Sequence, residues 1–136
     1  MFREKRKILE DGIDAYLAAT EAGYITCLKT LYSEIEGIVR IRYMEEAKRS
    51  PSFKELADFV REKANNKFGA RGSLGFPDVF YRYLNETVFQ SFDLATGQID
   101  LSRHSVSHGV AGPTKYTRDR AIQAILTLDQ MYFYLV

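Results

Sequence analysis

The sequence has little cysteine, histidine and proline, and it has no long apolar run. Among its 136 residues are one cysteine, two histidines and three prolines. The single Cys27 cannot form an internal disulfide, which suits a reducing compartment and favours a buried structural thiol over a nucleophile. No run approaches the roughly 18 apolar residues of a membrane span, and the charged opening at 1–7 is not followed by the apolar segment of a signal peptide. We therefore expect a cytoplasmic protein that spans no membrane.

A strong excess of charge of either sign is also missing. The chain has 19 Lys and Arg against 18 Asp and Glu, a net charge of +1. This balance excludes a strongly basic coat protein, so any RNA binding must come from a local patch. The length suits one domain over 1–136 with a single core. Its apolar end at 132–136 favours a domain that ends, or was cut from, a longer protein.

Apolar residues recur at steps of three and four over most of the chain, and neither a strand pattern nor an internal repeat competes. The spacing predicts four long helices, at about 2–20, 24–48, 52–67 and 77–89. A last helix follows Thr117, and Asp100 caps a short helix at about 100–109. The fold class expected is therefore all-α, an antiparallel bundle of four to five main helices plus the short one.

Single residues mark where these helices start, stop and cross. Ser52 with Glu55 three residues later predicts a capping box, and Pro77 predicts a first helical position. Gly23 predicts a helix break, whereas Gly37 inside the second helix makes a close helix crossing plausible.

The helical spacing also predicts which side chains are buried. In the first helix the apolar stripe consists of Ile8, Leu9, Ile13, Tyr16 and Leu17. In the last helix one stripe consists of Ala121, Ala124, Ile125, Leu128, Tyr132 and Leu135, and a second of Ile122, Leu126 and Phe133. A helix that is apolar on two sides must be covered on two sides, which indicates the centre of the bundle or half of a subunit interface.

Three other groups have both a structural and a functional interpretation. The charged cluster Glu34, Glu36, Arg40 and Arg42 is predicted to be a solvated face rather than a catalytic carboxylate pair. Helical spacing assigns the aromatic group Phe80, Tyr81, Tyr83, Phe89 and Phe92 to core or dimer packing, with base stacking as the alternative. The glycine-rich loop at 68–76 lacks the strand and the Gly-Lys-Ser/Thr ending of a phosphate loop, and its Arg71 is predicted to be solvated.

Both histidines of the chain lie in one short stretch, at 101–109, which we call the motif segment. On a helix His104 and His108 would lie one turn apart, with Arg103 beside His104. A guanidinium fits two phosphate oxygens, and an imidazole can move a proton near neutral pH. These are the groups that chemistry on a phosphodiester requires.

The spacing Arg, polar residue, three residues, His, from Arg103 to His108, resembles the signature of the HEPN superfamily. Gly109 after the His, then Tyr116 and Thr117, extend the resemblance, which covers 101 to about 135. It implies an all-α bundle that often dimerises and often cleaves RNA without a metal, in some branches within toxin or defence systems.

The resemblance implies catalytic roles for Arg103 and His108, with His104 in support, and no cofactor or metal. Ser102 departs from the Asn that often precedes the Arg. Val110 stands where one toxin branch has a Tyr that is modified, so that regulation is not carried over.

For catalysis, His108 would move protons and Arg103 would stabilise the charge that develops on the phosphate oxygens. A homodimer would bring two copies of His108 to one cleft, because one His cannot easily serve as base and acid on opposite sides of phosphorus. Outside the motif segment, the basic flank (Lys115, Arg118 and Arg120) is expected to hold the RNA backbone.

Three alternatives to catalysis remain. In a structural role, Arg103 would pair with Asp100 and His108 would favour a helix C-terminus. A metal site formed by Asp100, His104 and His108 is disfavoured, because the three positions would span about 12 Å of one helix. A third alternative is a HEPN-like module that dimerises, docks on a partner protein or binds nucleic acid without cleaving it.

Overall fold

A computed structural model of the protein describes residues 2–69, 76–89 and 112–136. Over these ranges the chain is all-α, as predicted, with five α-helices and no strand. The helices are α1 (Phe2–Leu17), α2 (Glu21–Ala47), α3 (Phe53–Phe68), α4 (Asp78–Tyr83) and α5 (Arg118–Leu135). A π-helical turn (Leu84–Val88) continues α4, and a 3-10 turn (Pro113–Lys115) precedes α5. The short helix predicted at about 100–109, together with Arg71 and Phe92, lies outside the described residues.

The core is built around α2, the longest helix, with 27 residues. Its buried side chains follow the predicted stripe, including Leu28, Leu31, Tyr32, Ile35, Ile38 and Val39. Helix α1 packs antiparallel to α2, and α5 lies in the same direction as α2, since Arg42 near the end of α2 donates a hydrogen bond to the Leu135 carbonyl at the end of α5 (3.5 Å). Helices α3 and α4 cover the remaining side of the core.

The predicted helix break at Gly23 is wrong. Helix α1 ends at Leu17, and Thr20 caps α2 by accepting a hydrogen bond from the Gly23 N–H, 3.0 Å long. Gly23 therefore lies in the first turn of α2, where a Cβ atom would stand 2.2 Å from the Ala15 carbonyl oxygen. The glycine is required by the close approach of α1, not by a turn.

The close helix crossing does not lie at Gly37 either. A Cβ atom there would meet only the Lys5 Nζ, at 3.8 Å. At Gly12 of α1, by contrast, a Cβ atom would lie 2.9 Å from Leu31 Cδ2. The two helices thus approach each other closely at Gly12 and Gly23, nearer the start of α2 than Gly37.

Two predicted helix starts are confirmed. The Ser52 side chain accepts the Glu55 N–H while the Glu55 carboxylate accepts the Ser52 N–H, which completes the capping box. Thr117 caps α5 by accepting the Arg120 N–H at 3.3 Å. Pro77 precedes α4 by one residue, as its cap, and its carbonyl accepts the first hydrogen bonds of the helix.

The predicted burial is wrong for several apolar side chains. On α1, which packs on α2 and α5, Leu9 is buried, but Ile8 and Leu17 are exposed. On α5, Tyr132 is exposed, and its ring meets the Phe2 ring edge-on at 5.2 Å. Met131 and Tyr134 are buried instead of Tyr132. The face of α5 that points into the core is therefore turned relative to the predicted face.

The charged cluster on α2 is not a solvated face, contrary to the prediction. Glu36 is only 3% exposed, and its carboxylate accepts a 2.5 Å hydrogen bond from the Arg40 Nε. Arg40 also donates to the Pro51 carbonyl at 2.9 Å, so the pair ties α2 to the loop before α3. Glu34 forms an ion pair with Lys5 of α1. Of the four residues, Arg42 has the most exposed side chain.

The π-helical turn follows α4 and is closed by a 2.8 Å hydrogen bond from the Phe89 N–H to the carbonyl of Leu84, five residues earlier. It brings Leu84, Val88 and Phe89 into the core. Phe80, Tyr81 and Tyr83 pack against the same core, which confirms the packing interpretation of the described members of the aromatic group.

Candidate nucleic-acid interface

Arg103, His104 and His108 lie outside the described residues, as does Asp100. The nearest described residues are Phe89 before the motif segment and Gly112 after it, and only three residues separate His108 from Gly112 in the sequence. The described part of the candidate site is therefore the stretch that leads into α5.

This stretch is fixed to the core by one aromatic side chain. The 3-10 turn Pro113–Lys115 is closed by a hydrogen bond from the Tyr116 N–H to the Pro113 carbonyl, 3.2 Å long. The Tyr116 side chain is buried, and this burial raises the pKa of its phenol. Because Tyr116 is anchored and Thr117 caps the helix, the start of α5 has a defined position on the bundle.

The basic flank surrounds this helix start. Lys115 and Arg120 are half-buried, and Arg118 is exposed. Asp119, also exposed, is the acidic residue among them. All three cations belong to the 3-10 turn and the first turn of α5. The partial positive charge at a helix N-terminus has the same sign, so an anion would be favoured here.

Arg118 also meets two tyrosines from the other end of the chain. Hydrogen bonding to Tyr16, in the last turn of α1, raises the pKa of Arg118, and nearby Tyr24, in the first turn of α2, adds to the effect. The two rings lie 5.8 Å apart and are inclined by 47°. Both side chains are half-buried, and we call them the tyrosine pair.

The tyrosine pair was missed by the sequence analysis, which assigned Tyr16 to the core and gave Tyr24 no role. The one available signal was that both tyrosines flank the same short connection between α1 and α2. Their contact with Arg118 joins residues far apart in the chain, and no local spacing predicts it.

The part of the chain that the structure describes has neither a metal-ligand cluster nor an accessible thiol. It contains no group of three or more His, Cys, Asp or Glu side chains that could hold a metal ion. Cys27 is buried, and burial raises the pKa of its thiol to about 11, so it is protonated near neutral pH. Cys27 is therefore a core side chain, as predicted.

Apolar surface is concentrated along α5. Ile122, Leu126 and Phe133, the predicted second stripe, are all exposed, by 41%, 58% and 43%. Leu126 also lines a groove of about 240 Å³ between α4 and α5. A larger groove of about 430 Å³ separates α1 from α5, with Leu9, Ile13 and Leu128 among its apolar lining.

Within residues 2–69, 76–89 and 112–136, no helix has both the length and the apolar character that a membrane crossing requires. No protein-family model, curated protein or solved structure matches the chain.

Proposed function

We propose that this protein is a HEPN-like endoribonuclease that cleaves RNA without a metal, through Arg103 and His108. The observation that carries the proposal is the Arg-polar-x3-His spacing of the motif segment, which comes shortly before a basic helix start in an all-α bundle. The fold class is the one that the resemblance implies, and the basic flank supplies a local cationic patch in a chain whose net charge is only +1.

The chemistry needs only a base, an acid and cationic stabilisation, because RNA carries its own nucleophile. The 2′-hydroxyl gives its proton to the neutral His108 of one protomer, and the 2′-oxygen attacks phosphorus. The bond from phosphorus to the 5′-oxygen breaks, and the protonated His108 of the second protomer donates a proton to that oxygen. Arg103 stabilises the charge on the non-bridging oxygens. The products are a 2′,3′-cyclic phosphate and a 5′-hydroxyl.

His104 is assigned a positioning role, orienting the phosphate or Arg103. Lys115, Arg118 and Arg120 hold the RNA backbone next to the motif segment. Each phosphate that they neutralise releases counterions, so binding should weaken steeply with salt.

A homodimer supplies the second histidine in this proposal. The stripe Ile122, Leu126 and Phe133 supports it, because a large part of each of these apolar side chains is exposed in the single chain. The buried, protonated Cys27 thiol suits a reducing compartment, so we place the activity in the cytoplasm.

Purified protein incubated with mixed RNA in EDTA tests the proposal directly. Wild-type protein should cleave the RNA and leave cyclic phosphate ends, whereas the His108→Ala variant should not. If every RNA stays intact with the wild-type protein and His108→Ala changes only thermal stability, the motif is structural.

The grooves beside α5 favour one alternative, a HEPN-like module that dimerises or docks on a partner protein without cleaving RNA. In that case the apolar stripe and the 430 Å³ groove would be the functional surfaces. An intact RNA pool together with a stable dimer would support this alternative.

A further inference from the structure

The tyrosine pair and Arg118 form a mixed aromatic and cationic surface at one end of the bundle. Tyr16 and Tyr24 come from the two sides of the α1–α2 connection, and Arg118 comes from the exposed start of α5. Core packing does not account for the whole group, because both tyrosines are half-buried and the guanidinium is exposed. Arg118 belongs to the basic flank, which begins three residues after Gly112.

We propose that Tyr16, Tyr24 and Arg118 form a subsite for an unpaired nucleotide of single-stranded RNA, with a base against the tyrosine pair and its phosphate on Arg118. This inference rests on the proposed function, because it names the form of RNA that the same site accepts.

The physical argument starts from what single-stranded nucleic acids offer to a protein. Their bases have free aromatic faces and edges, and proteins bind them with aromatic side chains next to a cationic track. A duplex conceals those faces in its own stack, so a tyrosine platform selects unpaired nucleotides. Here Tyr16, Tyr24 and Arg118 provide both parts of such a site within one patch.

The surface is also organised in advance. The inner parts of both rings pack against the core, and the rings contact each other at 5.8 Å, so their orientation is fixed before a ligand arrives. Arg118 begins a helix that the Thr117 side chain caps, so its backbone position is fixed as well. A site that is ordered before binding loses less conformational entropy when the ligand binds.

The test uses a fluorescent single-stranded oligonucleotide in which every ribose is 2′-O-methylated. This probe has no 2′-hydroxyl nucleophile, so its binding is measured apart from cleavage. Fluorescence anisotropy compares wild-type protein with Tyr16→Leu and Tyr24→Leu, which keep an apolar side chain but remove the ring. Tyr132→Leu, at an exposed tyrosine near the other end of α5, is the matched control. Circular dichroism establishes that each variant is folded.

The expected result is that Tyr16→Leu or Tyr24→Leu weakens binding of the single strand by between about 5-fold and 100-fold, with Tyr132→Leu near wild type. The wild-type preference for the single strand over a duplex of the same sequence should shrink in both tyrosine-pair variants. Arg118→Gln should lower the slope of log affinity against log salt by about one unit.

Folded Tyr16→Leu and Tyr24→Leu variants that bind the probe as wild type does would overturn the inference, even if the protein cleaves RNA. So would a wild-type protein that binds no oligonucleotide. If the probe binds through the tyrosine pair but RNA is never cleaved, the subsite stands and the nuclease proposal fails. The two proposals can therefore fail separately.

Discussion

The buried carboxylate of Glu36 accepts a 2.5 Å hydrogen bond from the Arg40 guanidinium, one turn further along α2. Arg40 also donates to the Pro51 carbonyl and lies over the Phe53 ring, 5.0 Å from its centroid. One guanidinium thus neutralises a carboxylate in the interior and holds the start of α3 against α2.

Arg40→Met should therefore lower the free energy of unfolding substantially, because it leaves Glu36 buried without this partner. We expect a loss of about 3 kcal/mol, the low end for breaking a buried pair, since the Arg40 side chain is 28% exposed. Urea denaturation measures it. Arg42→Met, two residues on and more exposed, is the control and should cost less than about 1 kcal/mol. Equal losses in the two variants would contradict the role given to Glu36.

The same substitution at two glycines of α2 should have opposite effects. Gly37→Ala should stabilise the protein by about 0.5–1 kcal/mol, because alanine favours the helix and its Cβ atom meets nothing closer than the Lys5 Nζ. Gly23→Ala should destabilise the protein by about 1–3 kcal/mol, the typical cost of overpacking, since the new Cβ atom would overlap the Ala15 carbonyl. Thermal unfolding of both variants tests the sign. A stable Gly23→Ala protein would mean that α1 can move away from α2 at little cost.

The capping box of α3 should contribute stability that depends on pH. Hydrogen bonding to Arg49, and then to Ser52, lowers the pKa of Glu55 below its usual range. Because the folded-state pKa lies below the unfolded-state value of about 4.3, this contribution is present above that value. It is lost as the pH falls through the folded-state pKa.

Glu55→Gln should accordingly be less stable than wild type at pH 7, with the difference narrowing as the pH falls below about 4. Urea midpoints between neutral and acidic pH measure this trend. Glu62→Gln, at an exposed carboxylate on the same helix, is the matched control. A difference that widens on acidification would show that the sign is wrong.

In the motif segment, His108→Ala and Arg103→Ala should each reduce the cleavage rate by at least ~100-fold, the typical value of a general acid–base group. His104→Ala should reduce it less, because its assigned role is to orient other groups. All three variants should fold and keep their oligomeric state, since the proposal gives these side chains roles in cleavage and none in the core. Single-turnover cleavage and sedimentation test the two statements separately.

The exposed stripe of α5 should determine the oligomeric state. Wild-type protein should sediment as a dimer at tens of micromolar, and Leu126→Lys should shift it to a monomer, because a buried charge opposes apolar association. Val79→Lys on α4, also at an exposed apolar residue, is the control and should leave the dimer intact. A wild-type monomer would remove the second histidine from the proposed mechanism.

The parts of the fold that depend on local signals could be predicted from the sequence. The Ser52–Glu55 capping box, the Thr117 cap and the buried stripe of α2 each follow from residues within a few positions of one another. Helix spacing predicts these features because helical neighbours are also neighbours in sequence.

The parts that depend on which helices meet could not be predicted. Glu36 was predicted to be solvated because the contact that holds its partner Arg40 in place, with the Pro51 carbonyl, comes from the α2–α3 loop. Gly23 was predicted to break a helix, whereas the structure requires a glycine there because the Ala15 carbonyl of another helix lies too close for a Cβ atom. The tyrosine pair was missed because Arg118 reaches it from near the other end of the chain. The catalytic roles in the motif segment were predicted from the family resemblance alone, and the segment lies outside the described residues.

The π-helical turn gives the end of α4 one residue more than an α-helix would need there. It fits that residue into the span that the Phe89 N–H and Leu84 carbonyl close. Deleting Asn85 would therefore let this turn become α-helical while Phe89, now 1% exposed, keeps its place in the core. Inserting a second extra residue would instead turn Phe89 away from the core by about 100°. This turn should accordingly accept the loss of one residue more readily than the gain of one.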